Sequence, residues 1–311
     1  MTIFFLLGTV INTFTPGFLN LGSFTSGMFR DGALPFIGLV LFCSGAQISF
    51  RRSGVALYKG SLMTASKVLL GIGGGYLFGF FVIGGETLFS IHPITVITAL
   101  ACGNGGLYVA LAERYGDEND IGGGVLVMLT ASPFFILIGV GAGGLVNVGF
   151  LDILATIVPA LIGMILGNLD EDFREFVYPG VRLAIPFFAF ALGANISLED
   201  ILIAGPQGAF LAALTLLVTG VIPVGISRIA VPARWKRSDS IAAGLGNTAG
   251  SGAVVPALIA SIDPSFAPYV TLATAQVGAS AIITAVACPF MLKMFYQREM
   301  QKRADHEGVY L

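Results

Sequence analysis

Hydrophobic residues in this chain fall in long blocks separated by short polar or Gly-Pro stretches; they neither alternate nor recur on one face. A helix that crosses a hydrocarbon layer of about 30 Å needs about 20 apolar residues. Ten blocks have that character: 2–14, 33–50, 60–83, 93–112, 121–146, 151–168, 183–199, 208–230, 239–262 and 267–295. The first is short and is closed by Pro16-Gly17. In lipid every backbone polar group has to be paired within the protein, so such blocks are read as helices. The pattern predicts an all-α membrane protein of about ten transmembrane helices.

Charge placement gives this count a direction. Lys and Arg favour cytoplasmic loops. Of the 16 basic residues, 14 group with the ends of even-numbered blocks, among them Arg51, Arg52, Arg114, Arg174, Lys236 and Arg237. Only Arg30 follows an odd-numbered block, and Lys67 lies inside one. Both termini are therefore expected in the cytoplasm, with the plasma (inner) membrane as the location. No basic n-region with a small-residue cleavage site precedes the second block, so insertion is expected to use uncleaved spans.

Composition agrees. The chain is 55% hydrophobic and 11% charged, against roughly 25% charged in soluble domains. Net charge is −2, and no basic patch extends beyond short loops, so no nucleic-acid partner is expected. Cys43, Cys102 and Cys288 sit in apolar blocks without CxxC spacing and are read as packing residues. His92 and His306 have no Cys or His neighbours at ligand spacing, so no metal is expected.

The two halves resemble each other. Block two ends Gly45-Ala46-Gln47-Ile48-Ser49, and block seven ends Gly193-Ala194-Asn195-Ile196-Ser197, 148 residues later. Each follows a proline, at Pro35-Phe36 and Pro186-Phe187, and Gly60 and Gly208 keep the same offset of 148. Block four holds Gly103-Asn104-Gly105-Gly106 and block nine holds Gly246-Asn247-Thr248-Ala249-Gly250, offset by 143. Three matches in order imply a duplication, residues 1–148 and 149–311. Five spans is an odd number, so the second copy enters from the opposite side. Inverted repeats of this kind are a common plan in secondary transporters.

The Gly-Asn strings are the candidate site. Each Gly disfavours a continuous helix by about 1 kcal/mol relative to Ala. Unwinding would free backbone groups that are tolerated only when buried in protein or lining a wet cavity. Broken helices at matching places in two halves point to a transport site, and half-helix N-termini favour an anion such as a carboxylate. Freed carbonyls, with Asn104, Asn247, Thr248 and Ser251, would hold hydroxyls or a small cation. The competing reading is close helix packing, which suits Gly71, Gly75 and Gly79 and also Gly163 and Gly167. An amide kept at each mid-membrane break favours function. Lys67, about eight residues into block three, is either a functional intramembrane charge or a side chain that snorkels to the interface. No Asp or Glu lies at the centre of any block.

These strings resemble a known family. Asn104-Gly105-Gly106-Leu107-Tyr108, then Gly167-Asn168-Leu169-Asp170 with Arg174-Glu175-Phe176, then the run from Ile185 to Gly193, are similar to the 2-keto-3-deoxygluconate permeases. Thr15-Pro16-Gly17 and Gly22-Ser23-Phe24-Thr25 match that family's N-terminal segment. The resemblance implies a proton-coupled symporter for a sugar acid, similar in plan to bile-acid/sodium symporters and sodium/proton antiporters. It implies a core domain with two broken, crossing helices, from spans three to five and eight to ten, and a panel domain from spans one, two, six and seven. It extends the substrate-binding set to Asn104, Gly105, Gly106, Tyr108, Asn247, Thr248 and Ser251. Some members carry acidic residues where this chain has Ala101 and the Thr130-Ala131 region, which leaves Lys67 as the coupling group or countercharge.

Other classes fare worse. No GxxxxGK[ST] string for ATP is present. A membrane hydrolase would need a Ser–His pair, a zinc motif or paired intramembrane aspartates, and none is legible. A channel would show a charged ring or filter string. The expectation is a secondary carrier of a small anionic sugar acid, with no cofactor beyond a coupling proton or sodium ion.

Overall fold

The computed structural model describes residues 2–48, 54–81, 90–235 and 238–307, and all regular elements among them are helical. In chain order the helices are α1 (Thr2–Phe14), α2 (Pro16–Leu19), α3 (Ser23–Phe29), α4 (Ala33–Ala46), α5 (Gly54–Phe81), α6 (Pro93–Ala101), α7 (Gly105–Tyr115) and α8 (Glu118–Met128). There follow α9 (Phe134–Ala142), α10 (Phe150–Leu169), α11 (Glu171–Val177), α12 (Gly180–Gly193), α13 (Leu198–Thr215), α14 (Ile222–Ala230), α15 (Val255–Ile262) and α16 (Val270–Glu307). A π-helical stretch, Leu216–Val221, joins α13 to α14, and two 3₁₀ stretches, Ser240–Leu245 and Gly250–Val254, precede α15. Ser49, Phe50, Arg51, Arg52, Lys236, Arg237 and residues 82–89, with the ends of blocks two and three, lie outside the described residues.

Among the described residues seven helical segments are long and apolar enough to cross a membrane, or nine if each of two bent pairs counts as one span. The pairs are α3 with α4, bent by 60°, and α8 with α9, bent by 58°. α1, with 13 residues, is below the usual spanning length.

Several boundaries differ from the hydrophobic blocks. α5 begins at Gly54 rather than 60, and α13 at Leu198 rather than 208. Hydropathy marks the stretch that faces lipid, whereas a helix starts at its cap. For α13 that cap is Ser197, whose Oγ accepts from Asp200 N while Asp200 accepts from Ser197 N. α12 ends at Gly193, so block seven stops short of 199. Block five is interrupted, because Ser132 leaves the helical region at ψ 141 just before Pro133. α16 continues past 295 to Glu307 as a polar extension.

The helices pack in two groups. α4 lies against α10 and α12, and α12 lies against α1. Both outer contacts are backbone-close at glycine. A Cβ on Gly163 would strike the carbonyl of Phe42, and one on Gly8 the carbonyl of Phe190; Phe42 and Phe190 are themselves 148 residues apart. In the other group α5 packs on α6 and α8, and α13 packs on α16 and α6. Gly71, Gly75 and Gly79 let α5 sit directly on Ala101, Ile97 and Pro93 of α6, and small residues at a helix interface permit that approach. Large apolar side chains such as Phe80, Leu166, Leu202 and Phe290 point outward, where a bilayer would solvate them.

Candidate functional site

Both Gly-Asn strings are unwound. Cys102–Asn104 separates α6 from α7, and Gly246–Ala249 separates the two 3₁₀ stretches. Each break satisfies the other. Asn104 N donates to Asn247 Oδ1 at 2.5 Å, and Ala249 N donates to Cys102 O at 2.8 Å. Gly103 N donates to Thr130 O at 3.2 Å, and Thr130 Oγ1 donates back to Gly103 O at 3.3 Å. Thr248 N donates to Thr284 Oγ1 at 2.9 Å. The groups that unwinding frees are thus partnered inside protein, as a low-dielectric setting demands.

Asn104 caps α7: its Oδ1 accepts from Leu107 N at 3.1 Å, and Tyr108 N bonds back to Asn104 O. Asn247 is 2% exposed, and its amide donates to Gly244 O at 2.6 Å. Thr248 Oγ1 donates to Ala99 O, in the last turn of α6, at 2.9 Å and meets Ser280 Oγ at 2.9 Å. Ser251 Oγ donates to Ala131 O at 2.9 Å, which ties the second break to the bend after α8.

Lys67 does not run to the interface. It is 0% exposed, and its Nζ donates to Asn247 O at 2.6 Å, Leu245 O at 3.0 Å and Thr219 Oγ1 at 3.1 Å. An ammonium has three donors, and here each has an acceptor. Among the described residues Lys67 makes no ion pair. Its stem passes Gly103, where a Cβ would lie 3.1 Å from Lys67 Cε. The lysine therefore touches both breaks. Thr219 sits in the π-helical stretch, a distortion frequent at functional sites.

A cavity of about 120 Å³ lies over the breaks. Asn104, Gly105, Gly106 and Ser251 form one wall, and Leu41, Ser44, Ile185 and Phe188 of α4 and α12 the other. A second space of about 320 Å³ shares Ile37 and Leu41 with it and extends to Asp152 and Ser261. A third, about 90 Å³, shares Asn104 and Gly250 with the first and has Thr248, Phe5 and Leu192 in its walls. Asn104 thus lines two cavities.

Of the residues singled out from sequence, Asn104, Gly105, Gly106 and Ser251 share the first cavity, and Thr248 joins Asn104 at the third. Asn247 and Lys67 lie behind the wall and hold it. Tyr108 departs from the expectation: at 1% exposure it packs with Leu111, Leu245 and Leu292 and lines none of these cavities. In α7 it comes a full turn after Asn104, so its ring points into the apolar core rather than toward the break.

Sequence reasoning missed Thr130, Thr215, Thr219, Ser280 and Thr284, which carry much of the bonding. Their signal was faint, because Thr215, Thr219 and Thr284 also bond the carbonyl four residues back. On a sequence that is ordinary helix behaviour. The one usable sign was spacing: Thr215/Thr219 and Ser280/Thr284 each repeat at i, i+4.

Helices of membrane-crossing length, broken in two places that bond to each other beside a cavity, define a multi-pass helical membrane protein with a plan that secondary transporters use. The comparisons narrow the class: the chain belongs to the 2-keto-3-deoxygluconate permease family, whose model matches residues 1–301. It is 38% identical over 313 residues to 2-keto-3-deoxygluconate permease 1 of Salmonella typhimurium, covering 97% of this chain and 93% of that one. The 2-keto-3-deoxygluconate permease of Pectobacterium carotovorum is 35% identical over 306 residues, at 96% and 94% coverage. That of Xanthomonas euvesicatoria is 32% identical over 308 residues, at 94% and 92%.

Proposed function

We propose that this chain imports 2-keto-3-deoxygluconate, or a close sugar acid, as an ion-coupled secondary transporter working by alternating access. The observation that carries the reading is the meeting of two unwound segments beside a cavity, with a lysine ammonium bonded into one of them. Relatives named for this substrate supply its identity. The cavity wall suits a sugar acid. The N–H groups of Gly105 and Gly106 open α7 toward the cavity and favour a carboxylate, and the Asn104 amide and Ser251 hydroxyl match sugar hydroxyls.

The plan proposed is ten spans in two inverted repeats of five, residues 1–148 and 149–311. Its support is the reciprocal packing of α1 on α12 and of α10 on α4, where Phe190 and Phe42, 148 residues apart, meet Gly8 and Gly163, 155 residues apart. α1, α4, α10 and α12 make the panel, and the helices around the breaks make the core. The cavity between them changes sides as the panel and core move. Both termini lie in the cytoplasm and the membrane is the inner one, as the basic loops favour.

Coupling falls to Lys67. Asn247 O and Leu245 O, the freed carbonyls that would hold a bound cation, already accept from its ammonium. That arrangement favours a proton over sodium, with Lys67 gaining and losing it as the breaks open and close. Uptake of labelled substrate into proteoliposomes, with proton and sodium gradients imposed separately, tests the reading. Accumulation with the proton gradient alone is expected; accumulation that needs sodium would overturn the coupling assignment.

A further inference from the structure

Away from the breaks, the ends of α14 and α16 enclose a space of about 610 Å³. Arg228 on α14, and Arg298, Lys302 and Arg303 on α16, line it together with Glu299. Glu299 offsets only one of these four charges, through its pair with Arg303, so the five side chains keep a net charge of +3, four positive and one negative. Ser238 Oγ and Ser240 Oγ each donate to Oε2 at 2.6 Å, Asp239 N and Ser240 N donate at 3.2 and 3.1 Å, and Arg303 pairs with Oε1 at 2.7 Å. The remaining wall is apolar, from Val221, Val224 and Phe295.

Both helices approach this space along stripes that change character in the same direction. On α14 and the π-helical stretch before it, Leu217 is 61% exposed and Val221 38%, and the same face reaches Arg228 two turns later. On α16, Phe290 is 65% exposed and Met294 53%, and the next position at the i+4 spacing is Arg298. Each stripe is hydrocarbon-facing for about two turns and then ends in a guanidinium. A free anion would use only the cationic end of such a surface. A molecule with acyl chains and a phosphate uses all of it, and basic pockets between spanning helices at the cytoplasmic face hold anionic headgroups.

We infer that the cleft between α14 and α16 is a binding site for an anionic phospholipid, with its phosphate on Arg228, Arg298 and Lys302 and its chains along Leu217, Val221, Phe290 and Met294. The inference rests on the chain's crossing a bilayer and on nothing in the transport site. A guanidinium pairs a phosphate bidentately where a lysine offers a point charge, so the two arginines set the orientation.

Native mass spectrometry of the full chain, released from detergent with phosphatidylglycerol or phosphatidylcholine added, tests it. Retention of phosphatidylglycerol over phosphatidylcholine is expected, and a thermal-stability gain seen with the anionic lipid alone. The triple change Arg228→Gln, Arg298→Gln, Lys302→Gln should weaken the retained lipid roughly a hundredfold, at a few-fold per charge removed. The single exposed change Lys302→Gln serves if the triple variant does not fold, with a loss of roughly fivefold. Equal retention of both lipids, full retention by the variants, or the same stabilisation by inorganic phosphate would each overturn the site. None of these readouts measures transport, so failure here leaves the transport reading intact, and failure of uptake leaves this one.

Discussion

At the scale of single residues, Lys67 and Asn247 decide how the second break is held. A neutral side chain at 67 would leave Asn247 O and Leu245 O without their donor inside the membrane. We predict that Lys67→Met inserts but loses uptake in a transport assay, and that Lys67→Arg does not restore it. Arginine keeps the charge, but it hardly deprotonates and presents a planar fork in place of three radial donors. Near-normal uptake by the Met variant would end the coupling role. Rescue by arginine would make it a fixed charge rather than a titrating one. The two asparagines are not equivalent. Asn247→Ala orphans the Asn104 N–H, at a cost of about 1–3 kcal/mol for a buried donor, and should lower both thermal stability and uptake. Asn104→Ala removes a cap from α7, typically about 1 kcal/mol, and a cavity-wall amide, so its loss should fall mainly on uptake. Equal behaviour of the two would contradict the division between wall and brace.

At the scale of elements, the first 3₁₀ stretch of the broken segment is anchored by α16. Glu299 collects the donors of Ser238, Asp239 and Ser240 at its start. Burial alone pushes the Glu299 carboxyl up, but the hydrogen bonds from Ser238, Ser240 and the backbone outweigh it and hold the group below the usual carboxylate range. A depressed folded value contributes stability above the unfolded value, roughly 4.3 for Glu, and that contribution is lost as pH falls through the folded value. Thermal unfolding of Glu299→Gln against the parent should therefore show a gap at neutral pH that closes in acid below about pH 4. A gap that stays constant down to pH 3 would mean the carboxylate's charge is irrelevant.

Much of this level was legible in the sequence. The positions of both breaks followed from Gly103-Asn104-Gly105-Gly106 and Gly246-Asn247-Thr248-Ala249-Gly250, because glycine weakens helix wherever packing does not compensate. The bend between α8 and α9 at Ser132-Pro133 was missed, since block five reads as one apolar run and a single proline is tolerated in many membrane helices. The early start of α13 at Leu198 was missed because hydropathy does not see a capping box. The inward turn of Tyr108 was missed because its place next to the Asn-Gly-Gly string says nothing about its helical phase.

At the scale of the whole molecule, the proposed repeat is uneven in charge. At the 148-residue offset Lys67 falls opposite Thr215, which meets Ala99 O at 3.4 Å and Thr248 Oγ1 at 3.4 Å. Lys67 thus bonds into the second break with an ammonium, whereas Thr215 bonds with a hydroxyl to α6 and to Thr248 of that same second break. Orientation is testable at exposed sites, because all three native cysteines are buried. Glu118→Cys and Arg234→Cys should react with an impermeant thiol reagent only from the cytoplasmic side, and Ser265→Cys only from outside. The reverse pattern would sink the assigned topology.

The central claim is that one substrate-sized site is exposed alternately to the two faces of the membrane. Counterflow measures this most directly. Proteoliposomes preloaded with unlabelled 2-keto-3-deoxygluconate, diluted into a trace of labelled substrate with no ion gradient, should accumulate label transiently above its outside concentration and then lose it. The overshoot should saturate with substrate. A monotonic approach to equal concentrations, unaffected by preloading, would describe a pore and contradict the account.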